Sequence, residues 1–133
     1  MKVVVDTNVL IAGLVADGLC RDIVKRRLPA LELFTSQDLL DELAGKLKEK
    51  FGMNPDELPL LSLYERAVTI IKPPRLIKPV CRDIDDDDVL ATALAAKVDI
   101  ILTGDDDLLV LKEFHGTPIL SPRQFVEWMD RQE

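Results

Sequence analysis

The sequence predicts an α/β fold: a three-layer α/β/α domain around a mostly parallel central sheet of four or five strands. Three observations predict it. The chain opens on Val3-Val4-Val5, a continuous β-branched run that stops at Asp6. Such a run reads as a short strand buried on both faces, as in a parallel sheet. Late in the chain, Ile100-Ile101-Leu102-Thr103 repeats the pattern and gives way to Gly104-Asp105. Between them, apolar runs alternate with stretches of helical spacing, the order that builds parallel βαβ units. If the first and late strands lie parallel in one sheet, Asp6 and Asp105 open onto the same edge, where open α/β sheets bind ligands.

Taken in order, Thr7 and Asn8 can cap a helix over Val9–Val15, which Asp17-Gly18 breaks. A second helix is expected over Arg21–Leu28. Its four basic residues read first as a solvated face. Pro29 ends it, and Leu31–Phe34 is a candidate second strand. Thr35-Ser36-Gln37-Asp38 has the capping-box pattern. The helix that follows runs to Phe51, with Leu39, Leu40, Leu43, Ala44, Leu47 and Phe51 on one stripe and Gly52 closing it. Asp38, Asp41 and Glu42 fall off that stripe, near the helix N-terminus, and periodicity does not choose among them.

A further helix starts at Asn54-Pro55-Asp56-Glu57 and continues to about Ala67, and Val68–Ile71 is a short strand. Lys72–Pro79, with three prolines, is an extended connection. Asp83-Ile84-Asp85-Asp86-Asp87-Asp88 precedes a buried helix over Val89–Lys97. One or two aspartates, Asp87 first among them, would suffice as a cap. Five within six residues exceed that need, and their repulsion is relieved by the helix dipole and further by a cation. Leu108–Leu111 reads as a helical turn and Pro118-Ile119-Leu120 as a last edge strand. Ser121-Pro122 opens a terminal helix on which Trp128 packs as core. The single histidine, His115, sits beside Gly116 in a loop and receives no catalytic role.

At 133 residues the chain, residues 1–133, reads as a single domain with one sizeable core. No apolar run is long enough for a bilayer, and the N-terminus lacks a signal-peptide pattern. Cys20 and Cys81 have no metal or redox spacing and read as free thiols in a reducing compartment, the cytoplasm. A net charge of −7 argues against a nucleic-acid partner, but the charge is uneven. Ala44–Arg82 holds 8 basic and 4 acidic residues, whereas Asp83–Asp107 holds 9 acids and one lysine. Cations bound at the acidic block would leave the working charge much less negative.

Carboxylates without histidine or cysteine suit hard dications, Mg²⁺ or Mn²⁺. Two such ions form the clamp used in phosphodiester cleavage, which needs no protein nucleophile. The segments Val4–Leu10, Thr35–Leu43, Asp85–Ala93 and Ile101–Leu109, with the closing Pro118–Phe125, resemble the PIN-domain ribonucleases, most closely the branch of VapC-like toxins from toxin–antitoxin pairs. Each motif is weak alone, and all in order at these spacings make a strong match. The resemblance implies a catalytic quartet of Asp6, Glu42, Asp87 and Asp105. It implies metal ligation by Asp6, Asp105 and Asp87, with Asp86 in the alternative register, and support from Thr7, Asn8, Thr103 and Asp107. It further implies Mg²⁺- or Mn²⁺-dependent cleavage of single-stranded RNA, a homodimer and a small antitoxin partner.

Two other readings, one an enzyme of another class and one a phospho-accepting binding module, fit less well. A haloacid-dehalogenase-type phosphatase needs a second Asp where Asn8 stands, and a receiver domain needs paired acids after its first strand. A catalytically silent PIN-fold docking module is disfavoured because all four acidic places are filled.

Overall fold

The computed structural model describes residues 1–132. Strands β1 (Lys2–Val5), β2 (Glu32–Ser36), β3 (Thr69–Ile71), β4 (Ile100–Leu102), β5 (Glu113–Phe114) and β6 (Thr117–Leu120) form one sheet in the order β3-β2-β1-β4-β6-β5. All pairings are parallel except β5 with β6. The fold class is as expected, but the sheet has six strands rather than four or five. The extra strand is β5, which turns into β6 through His115 (φ 50°) and Gly116 (φ 81°). Two consecutive positive φ values in a two-residue loop are the type I′ geometry that matches strand twist. The β6 strand is therefore interior, not the edge.

Residues alternate between the two faces of the sheet. Val3 and Val5 face a core built with α1 (Thr7–Val15), α3 (Gln37–Phe51), α4 (Pro59–Ala67) and α7 (Pro122–Gln132). Phe125 is fully buried there, and Trp128 packs at its margin. Val4 and Ile101 face the second core with Val89, Leu90 and Ala93 of α5 (Ile84–Ala96) and Leu108 of the short α6 (Asp106–Leu109). A two-faced sheet with helices on both sides explains why β1 and β4 are uninterrupted apolar runs.

The helix expected over 21–28 is irregular. The segment α2 (Leu19–Asp22) passes into a π-helical turn over Ile23–Arg27, where Leu28 N–H reaches Ile23 O, and then a 3₁₀ turn over Leu28–Ala30. Ser36, not Thr35, caps α3 by accepting from Leu39 N–H at 3.2 Å. At the other end Gly52 is left-handed (φ 60°), with Met53 N–H reaching Leu47 O. The terminal helix carries a reciprocal cap between Ser121 and Gln124.

The largest departure concerns α5. It begins at Ile84, five residues before Val89, with Asp83 as its cap accepting from Asp85 N–H at 2.9 Å. The aspartates 85 to 88 thus lie within the helix, about 100° apart around its axis, and point in four directions. Among the described residues no helix is long and apolar enough to cross a membrane.

Candidate metal centre

Strand order reverses direction at β1: β2 and β3 lie to one side, β4 and β6 to the other. The crevice beyond the carboxyl ends of β1 and β4 is therefore the topological switch point of the sheet. Val5 pairs with Leu102 in register, so Asp6 and Thr103 leave the sheet side by side. Asp6 N–H still donates to Leu102 O at 2.8 Å, which fixes the backbone from which the carboxylate projects.

Asp6 is only 5 % exposed. Its Oδ2 accepts from Thr103 Oγ1 at 2.6 Å, and the same hydroxyl accepts from Asp105 N–H at 3.0 Å. The fully buried Thr103 thereby ties both acidic strand ends together. Asp105 caps α6, its Oδ1 accepting from Asp107 N–H at 2.8 Å. Asp86 reaches the crevice from the first turn of α5 and is 6 % exposed. One carboxylate oxygen from each of Asp6, Asp86 and Asp105 lies within 4.8 Å of the others.

Burial pushes the Asp6 carboxyl up to about 6; the charges of Glu42 and Asp105 add to this, and the Thr103 hydrogen bond opposes it. Asp86 is raised as well, by burial first and then by the charges of Asp105 and Asp6. Three carboxyl groups are thus held close together, and burial and mutual repulsion oppose the ionisation of all three at once. The donor set is all carboxylate oxygen, so these three residues fit a hard dication. Cys81, just outside, is no competitor: burial and the Asp87 charge push its thiol up to about 12, away from the thiolate that binds metal.

Of the two registers expected for the third acid, the structure brings Asp86 into the cluster and holds Asp87 outside it. Its Oδ1 accepts from Cys81 N–H at 2.8 Å and from Val80 N–H at 3.1 Å, pinning the proline-rich connection to α5. With the helix starting at Ile84, the residue that faces the crevice is Asp86. Asp88 turns toward Asp38; burial raises its carboxyl, and the Asp38 charge adds to the effect.

Geometry also separates the three acids of α3. Asp38 and Asp41 are exposed, and Asp41 accepts from Gln37 Nε2 at 2.9 Å. Glu42 reaches the rim of the cluster, where Thr7 Oγ1 donates to its Oε2 at 3.4 Å. Of the expected supporting residues, Asn8 Oδ1 accepts from Gly104 N–H at 3.4 Å. Asp107 turns away to an exposed ion pair with Arg82 at 2.7 Å.

Two basic residues were not foreseen. Lys46 Nζ lies 2.6 Å from Glu42 Oε1. Burial alone would lower its pKa, but the Glu42 hydrogen bond and charge, with Asp6 and Asp85, raise it overall. The signal was present as an acid and a lysine four residues apart on one helix face. Arg82 carried no such signal, because its partner is 25 residues away.

This fold, with acids from β1, α3, α5 and the β4–α6 loop gathered at one sheet edge, defines a class of metal-dependent nucleases. The chain matches the PIN domain family model over residues 2–107 and belongs to that family. It is also similar to an uncharacterized protein, MJ1680, of Methanocaldococcus jannaschii. The two are 29% identical over 148 aligned positions, covering 98% of this chain and 93% of the relative. PIN domains are nucleases that act on RNA and use divalent metals.

Proposed function

We propose that this protein is a divalent-metal-dependent endoribonuclease that cuts single-stranded RNA, with Mg²⁺ or Mn²⁺ held by Asp6, Asp86 and Asp105. The observation that carries the reading is the convergence of these three carboxylates, buried at Asp6 and Asp86 and half-buried at Asp105, at the switch point of the sheet. The cation, when bound, supplies Lewis-acid chemistry, polarising the phosphodiester and acidifying the attacking water. Thr103 holds Asp6 and the Asp105 loop in one geometry. Glu42 completes the acidic quartet from the rim, positioned by Thr7 and Lys46. Asn8 fixes the Gly104 backbone beside them.

The proposal extends to a cytoplasmic toxin of a toxin–antitoxin pair, acting as a homodimer and silenced by a small protein. The resemblance to the VapC-like branch supports that extension. The test is a cleavage assay on single-stranded RNA and DNA of matched sequence. RNA cut in Mg²⁺ or Mn²⁺, protected by chelator, and DNA left whole is the expected result. Equal cutting with chelator present would overturn it.

A further inference from the structure

A groove of about 580 Å³ starts at the rim of the acidic cluster and runs away from it between α1, the 16–20 turn and the C-terminal half of α3. That volume lies within the ~300–1,000 Å³ typical of small-ligand clefts. Two of its walls belong to the site: Asn8, whose carboxamide holds Gly104, and Lys46, paired with Glu42. One helical turn further along α3 stands Lys50, exposed and in no ion pair among the described residues. Phe51 forms the outer lip and is 46 % exposed. The floor is apolar, from Ile11, Ala12, Val15 and Leu19. The one acid in the groove, Asp17, is at the opposite end and is neutralised by Arg21 at 2.8 Å.

We infer that this groove is a nucleotide subsite: it takes the nucleotide flanking the one at the acidic cluster in a single-stranded substrate. The inference rests on the nuclease reading above. Lys46 and Lys50, about 6 Å apart along the axis, track the phosphates outward from the centre. Phe51 offers its face to a base, and the apolar floor receives the base's unpaired surface. Aromatic stacking with a lysine-lined track is how single strands are held with little regard to sequence. A bare apolar cleft would suit many occupants, but Lys50, in no ion pair among the described residues and on the same helix as the Glu42-paired Lys46, complements an anionic strand in a chain of net charge −7.

The test compares the parent with Phe51→Ala and Lys50→Ala, each checked for the parent's melting temperature. Binding of fluorescent single-stranded RNA, from two to ten nucleotides, is read by anisotropy, and cleavage in Mn²⁺ by KM and kcat. Each variant is expected to bind the longer strands about tenfold more weakly, with the loss in KM rather than kcat. The penalty should fall away as the oligonucleotide shortens. Lys50→Arg should restore most of the affinity. Unchanged affinity for long strands in both variants overturns the subsite. So does a dimer in the parent that Phe51→Ala dissociates, which would assign the groove to a second copy. If the parent cuts nothing yet binds RNA through Phe51 and Lys50, the subsite stands and the catalytic reading falls. A parent that neither cuts nor binds overturns both.

Discussion

Replacing Asp6 with Asn should stabilise the metal-free protein while destroying its metal site. Asp6 is 5 % exposed, and its carboxyl rises from 3.8 to about 6 on folding. At about 1.4 kcal/mol per pH unit, keeping it ionised costs the folded state about 3 kcal/mol at pH 7.5. An acid with a raised folded pKa favours the native state fully below its unfolded value, near pH 4. That advantage is lost as pH climbs through about 6, and Asp86 shifts in the same direction. Asn keeps the acceptor for Thr103 but must still be desolvated, so the net gain is ~1–2 kcal/mol. For a chain of this size that is ~4–8 °C in melting temperature. The assay is thermal unfolding of both proteins in chelator at pH 4.5 and 7.5, then in millimolar Mn²⁺. Asp6→Asn should melt higher than the parent in chelator at pH 7.5 and lose that lead at pH 4.5. Mn²⁺ should lift the parent alone, because binding to the native state adds stability. If Asp6→Asn melts at or below the parent in chelator at pH 7.5, the strained-cluster argument is refuted.

Asp86→Asn should abolish the Mn²⁺-induced rise in melting temperature. Asp87→Ala should keep that rise but lower stability by ~1–2 kcal/mol, since two backbone N–H groups lose their acceptor; the opposite pattern would restore Asp87 as the ligand. Thr103→Val removes the hydroxyl that bridges Asp6 and Asp105 and should weaken metal binding ~10–100-fold in a calorimetric titration. Gly13→Ala places a methyl 3.0 Å from both Cys20 O and Val24 Cγ2, where α1 meets the segment after Gly18. Denaturant titration should show a loss of ~1–3 kcal/mol, with metal-induced stabilisation retained.

The buried strands and the ends of α3 were legible because their signals are local. Val3–Val5 and Ile100–Leu102 are bounded apolar runs, and Ser36 and Gly52 punctuate one amphipathic helix. Asp6 and Asp105 followed from the parallel pairing alone. The third acid of the cluster did not, because Asp85 to Asp88 are chemically identical and only the helix start decides which one faces the crevice. Reading Asp87 as a cap displaced that start by several residues; Asp83 caps instead. Glu42 was distinguishable from Asp38 and Asp41 only once Thr7 and Lys46 were in place beside it. The β5 strand escaped because two residues carry no periodicity, although His115-Gly116 marked its turn.

The sheet's outer margins bear on how copies of the chain associate. One margin is β3, three residues long; the other is β5, two residues between left-handed Lys112 and His115. Neither offers the long flat ladder that lets sheets stitch together end to end. Short margins of this kind disfavour edge-to-edge stitching of copies through the sheet and leave its interior strands shielded from fibre-like growth.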